Sequence, residues 1–168
     1  MNNDGIDGNG NVYVKGGLVY AIGANAPEVA IDANSEEQKK LYVQGGTLIA
    51  VGGLESGAQI SGGTCKQTTS FSAETWYALY NGSDLVAAFK TPAASTSGGS
   101  RPGGGPGGGG SKKLVVYTSS TPALNSGVTI TGGTTFFDGA ANIGGTVSGG
   151  NAVILSSYTN TSGPGGRP

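Results

Sequence analysis

The chain has 168 residues, 34 of them Gly, with 9 basic and 10 acidic side chains, no His and a net charge of −1. That balance leaves no electrostatic footprint for nucleic acid, and without imidazole there is no ordinary Ser–His–Asp triad. No apolar run approaches the roughly 20 residues that span a bilayer, no Gly-X-Y period points to collagen, and the lone Cys65 allows no disulfide framework.

Short runs of Thr, Val, Ile and Tyr, punctuated by Gly-Gly, Asn-Gly and Ser-Gly, predict an all-β protein. The chain opens on "NNDGIDGNGN" (Asn2–Asn11). Asp4, Asp7, Asn9 and Asn11 supply oxygen donors between glycines, which suits a hard cation such as Ca²⁺. The same residues bend chains, so the stretch reads equally as the turn before the first strand. Asp7-x-Asn9-x-Asn11 starts like an EF-hand loop, but Val12 stands where that loop needs Gly and Leu18 where it needs Glu. Polar turn residues at the start, with no signal peptide, lead us to expect a fragment whose upstream part is missing.

"VYVKGGLVYAIG" (Val12–Gly23) is matched without gaps by "LYVQGGTLIAVG" (Leu41–Gly52), and more distantly by "VTITGGTTFFDG" (Val128–Gly139). Each unit reads as strand, Gly-Gly corner, strand. A Gly pair turns sharply and carries no Cβ, so successive units can stack closely. "LVYAI" and "TLIAV" are apolar on both faces, as parallel strands covered on both sides are. One face would fill an interior and the other would need a cover. Between the two copies, "SEEQKKLY" (Ser35–Tyr42) is the only charged cluster and reads as a solvated loop with one helical turn at most. Cys65 reads as a small buried hydrophobe.

"FSAETWYALYNGSDLVAAFKTP" (Phe71–Pro92) predicts two strands around Asn81-Gly82-Ser83. "KKLVVYTSS" (Lys112–Ser120) and "NAVILSSYT" (Asn151–Thr159) predict further strands of an antiparallel cap or cover. "STSGGSRPGGGPGGGGS" (Ser95–Ser111) is too rich in Gly and Pro to pack and reads as a flexible loop. The expected organisation is a short parallel β-solenoid over residues 1–70, an antiparallel β cap on its C-terminal side over 71–160 that contains loop 95–111, and a disordered tail over 161–168.

The acids and bases are dispersed, and spacing singles out no catalytic pair. The aromatics are better placed. Trp76, Ala78 and Tyr80 share one strand face, and Tyr77 and Leu79 share the other. Sugar rings present apolar faces that pack on flat aromatic side chains, so either face could serve as a binding strip, and Trp76 could equally belong to the core of the cap. Tyr13 and Tyr42 hold the same place in two repeats and should stack as a ladder.

"DGIDGNGNVYVKGG" (Asp4–Gly17), "AID" (Ala30–Asp32), "GGTLIAVGG" (Gly45–Gly53) and "GAQIS" (Gly57–Ser61) together resemble the last rungs of a bacterial family of carbohydrate-binding β-helix proteins. "TWYALYNGSDLVAAFKTP" (Thr75–Pro92) resembles that family's C-terminal segment. The resemblance implies a right-handed parallel β-helix like that of pectate lyases, without lyase activity. It also implies Ca²⁺, a secreted or surface location, and binding of cellulose or acidic plant polysaccharide. This chain holds only two or three rungs.

The expected function is non-catalytic polysaccharide binding, with Asp4, Asp7, Asn9 and Asn11 as the metal set and Trp76, Tyr77 and Tyr80 as the sugar-binding set. One alternative is a structural cap module of a surface adhesin with no ligand. Another is a uronate-active, lyase-like enzyme built around Asp4, Asp7 and Lys15. No nucleic acid and no membrane span are expected. An open edge at the N-terminal end invites a homodimer.

Overall fold

The structure is a computed structural model and describes residues 5–23, 29–93 and 113–159. The chain is all-β, in several open sheets, and the described residues contain no α-helix. The expected loop 95–111 and the tail 161–168 lie outside the described residues.

Seven short strands form the first part: β1 (Ile6–Asp7), β2 (Val12–Val14), β3 (Leu18–Ile22), β4 (Ile31–Asp32), β5 (Leu41–Val43), β6 (Thr47–Val51) and β7 (Gln59–Ile60). All of their mutual pairings are parallel. β1 pairs with β4, β2 with β5, β5 with β7, and β3 with β6, while Leu54 forms an isolated parallel bridge with Ile31. The sequence repeat sets the register, because Val12 lies beside Leu41 and Leu18 beside Thr47. The Gly-Gly corners fall one on another. A Cβ on Gly46 would stand 2.6 Å from the carbonyl carbon of Gly16, so only Gly lets these two turns approach. The register also produces the expected ladder: the Tyr13 and Tyr42 rings stack at 5.0 Å with 9° between their planes. Between β4 and β5 the charged cluster forms one exposed 3-10 turn over Ser35–Glu37.

The remaining strands are β8 (Thr64–Thr68), β9 (Trp76–Asn81), β10 (Asp84–Lys90), β11 (Leu114–Thr118), β12 (Pro122–Thr131), β13 (Thr134–Phe136), β14 (Ala141–Ile143), β15 (Thr146–Ala152) and β16 (Ser156–Ser157). A six-stranded antiparallel sheet runs β13-β14-β10-β9-β12-β15. Its β9–β10 hairpin turns at Gly82, where φ is 66°, as the Asn-Gly-Ser signal predicts. The third Gly-Gly copy does not form a parallel rung. Its corner, Gly132-Gly133, joins β12 to β13 inside this antiparallel sheet. A Gly pair serves any tight corner, and the pairing partners decide the strand direction.

The five-stranded sheet runs β16-β8-β11-β6-β3. Here β11, expected in the cap, lies between β6 and β8 and pairs antiparallel with both. All five of its residues are buried, and they are apolar on both faces, which suits a central strand. By lying antiparallel on β6 it ends the parallel series in this sheet.

This sheet divides two cores. Ala21, Leu48, Ala50, Val115 and Tyr117 face the first core together with Ile31, Leu41 and Val43 of the other parallel strands. Ile49, Val51, Leu114 and Val116 face the second core, against Tyr77, Leu79, Ala87, Phe89 and Leu124 of the antiparallel sheet. The antiparallel sheet is therefore the cover that the doubly apolar strands require. Tyr20 fastens it: its hydroxyl donates to the Lys90 carbonyl at 2.6 Å, and its ring lies 5.8 Å from that of Phe89.

Candidate functional site

The opening turn resolves into separate roles. Asp4 lies outside the described residues. Asp7 is exposed at the end of β1, beside Asp32 in the parallel register. Asn9 is exposed in the bend that follows. Asn11 bridges two rungs: its Oδ1 accepts the Lys40 N–H at 2.9 Å, and its Nδ2 lies 3.5 Å from the Tyr13 hydroxyl. That oxygen satisfies a backbone donor at the start of β5, so turn formation accounts for Asn11. Among the described residues no three acidic, Cys or His side chains gather closely enough to hold a metal ion. Lys15 extends its ammonium over the Tyr13 ring, 5.3 Å from the centroid, and so caps the tyrosine ladder.

The aromatic trio of β9 is divided by the strand's alternation. Tyr77 points into the second core, is 3% exposed and stacks on Phe89 at 5.5 Å with 13° between planes. Its hydroxyl accepts the Ser72 N–H at 2.9 Å. Trp76 and Tyr80 lie on the opposite, outer face and are half-buried. They are four residues apart, or about 13 Å along an extended strand. Between them, Ala78 pairs with Ala88 of β10 and Asn125 of β12. Lys90 stands opposite Trp76 and Leu85 opposite Tyr80. The outer face thus carries two flat side chains at the ends of a low alanine floor, with an ammonium and a carboxamide at its borders. On the other side of β9 an open groove of about 580 Å³ runs past Phe71, Tyr77 and Val153, with hydroxyls from Thr68, Ser72 and Ser126 along it.

Sequence reasoning overlooked a buried carboxyl pair. Glu55 is 4% exposed in the first core, where its Oε2 accepts the Ala33 N–H at 3.0 Å and its Oε1 the Leu41 N–H at 2.8 Å. These amides lie on either side of the 3-10 turn, so Glu55 fastens the loop between β4 and β5. Burial, reinforced by a hydrogen bond to Asp32 and that carboxylate's charge, pushes Glu55 up from 4.5 to about 7, against the pull of the two amides. Tyr158 packs against the same core and is pushed up to about 12, by burial first and then by Cys65 and Glu55. The signal was present in the sequence: Ile6-Asp7, Ile31-Asp32 and Leu54-Glu55 are three apolar–acid pairs, and the structure sets them side by side. Cys65 is buried, as expected, and its thiol is pushed up to about 12 by burial, which makes it a weak nucleophile.

No protein-family model, curated protein or solved structure matches this chain. Among the described residues no helix is long and apolar enough to cross a membrane.

Proposed function

We propose that the chain is a short right-handed parallel β-solenoid with an antiparallel cover, and that it binds polysaccharide without catalysis on a secreted or surface protein. The observation that carries the binding role is the outer face of β9, where Trp76 and Tyr80 flank the Ala78–Ala88 floor beside Lys90 and Asn125. Flat aromatic faces offer apolar area to sugar rings at little entropic cost, because each has only two side-chain torsions to fix. Lys90 gives the strip a preference for acidic sugars. Tyr77 plays no part on this face, since its ring is core.

The Ca²⁺ of this reading belongs at the opening turn, with Asp7 and Asn9 as donors alongside Asp4. The dispersal of the bases and the engagement of both Glu55 oxygens by backbone amides favour binding over lyase chemistry. The test is a titration of polygalacturonate and cello-oligosaccharides against the protein and its Trp76→Ala variant. Saturable binding that the variant loses is expected. If the unsubstituted protein binds neither class, the glycan role fails and the structural-module reading replaces it.

A further inference from the structure

The end of the parallel strands that carries β1, β2 and β3 is built like an interior and left open. β1 ends the two-stranded sheet, β2 the three-stranded sheet and β3 the five-stranded sheet, so three strand edges finish at the same end. Burial changes across one rung. Ile31, Leu41, Leu48 and Ile49 are fully buried, whereas their register partners Ile6, Val12, Val19 and Tyr20 are all part-exposed, Ile6 by 38%. Phe137, 49% exposed, leans on Tyr20 with its ring 5.7 Å away and extends this apolar end. β3 carries none of the Lys, Pro or bulge devices that blunt an edge strand.

Gly16 says what kind of neighbour fits there. Its repeat counterpart, Gly45, has no room for a Cβ because the Lys15 backbone carbonyl stands against it. Around Gly16 the same position is empty to 4 Å among the described residues, and its φ lies outside the left-handed region. Neither conformation nor packing within the described chain calls for Gly at this place. A Gly that leaves such a space lets another backbone come close.

The opposite end is sealed in the five-stranded sheet, because β11 lies antiparallel on β6 and β16 closes on β8. Each chain therefore has one adhesive end, and an assembly with one adhesive end per copy closes at two. We propose that this end is a homodimer interface, in which two copies meet about a two-fold axis, their first-rung edges pair antiparallel, and the Gly16-Gly17 corners permit the close approach. The proposal rests on the stacked-rung reading and is independent of the glycan.

Sedimentation of the purified chain over a concentration series tests it. A reversible monomer–dimer equilibrium is expected. Gly16→Gln adds a side chain into empty space, so it should leave the circular dichroism unchanged and weaken dimerisation about tenfold or more. Val19→Lys, which places a charge on the open apolar edge, should do the same. Gly45→Gln meets the Lys15 carbonyl and should destabilise the fold itself; tolerance of that change would remove the stacked-rung reading separately. A chain that stays monomeric at every concentration overturns the dimer. So does growth beyond two copies, or a dimer that both edge variants leave intact.

Discussion

The carboxyl group of Glu55 is hydrogen-bonded to that of Asp32 inside the first core, with two backbone amides fixing the Glu55 oxygens. Two carboxyls in contact cannot both ionise cheaply, so this pair holds a proton to higher pH than either acid would alone. The unfolded chain has Glu55 at its ordinary 4.5, and the folded chain has it at about 7. The folded state therefore binds the extra proton. The resulting stabilisation is fully present below pH 4.5 and is lost as pH rises through 7. Urea midpoints measured between pH 4 and 8 should fall across this window from this pair's contribution. Glu55→Gln should flatten that slope while lowering stability throughout, because its amide nitrogen cannot accept either backbone N–H. An unchanged slope in the variant would place the titration elsewhere.

Phe89 joins the two layers. It is fully buried, stacks on Tyr77 and lies against Tyr20 of the five-stranded sheet. Phe89→Ala removes the ring from a site that rigid strands cannot collapse around, and a loss of about 3–5 kcal/mol is expected. Tyr20→Phe, which deletes only the bond to the Lys90 carbonyl, should cost about 1 kcal/mol. Denaturant unfolding of both variants checks the order. Similar losses would mean that the hydrogen bond, rather than the ring packing, dominates the junction.

Trp76 is the only Trp in the chain, so intrinsic fluorescence reports on the outer strip without interference. Titration with polygalacturonate should quench or blue-shift the emission, and Lys90→Gln should weaken the response as the acidic sugar loses its counter-charge. Tyr77→Ala should instead destabilise the protein by about 3 kcal/mol or more, since that ring is core. A spectrum unmoved by any glycan would leave Trp76 and Tyr80 as the shoulders that shield Ala78 and Ala88 from water.

If the opening turn holds Ca²⁺, the ion binds only the folded chain and must raise the melting temperature by mass action. A rise with Ca²⁺, reversal by chelator and loss of the effect in Asp7→Asn are expected. An identical melt in all three conditions would assign the Asp and Asn residues to turn formation alone.

The parallel register was legible because Val12–Gly23 and Leu41–Gly52 are gapless copies, and stacked copies must meet residue for residue. The need for a cover was legible too, in strands apolar on both faces. Three features were not. "LVVYT" shows that β11 is buried on both sides but not which strands flank it, because its partners are distant in sequence. The Gly132-Gly133 corner looks like the earlier corners because Gly reports a tight turn and is silent on strand direction. The alternation along Trp76–Tyr80 separates Tyr77 from its neighbours, yet alternation alone does not say which face meets the core. The Asp32–Glu55 pair escaped because its two-residue repeats are short and unequally spaced.

The place of β11 also dictates an order of events. β6 and β8 leave the ribosome close together, but each must wait for residues 114–118 before gaining its neighbour in the five-stranded sheet. Until then the exposed edge of β6 is a template on which β8 can dock as a premature next rung. Loop-closure entropy makes the native insertion slower than that local pairing, so such a mispaired state has to reopen. The nascent first half is thus a sticky intermediate, and the strand that completes it acts as a late-arriving wedge whose timing sets how much of the chain escapes aggregation.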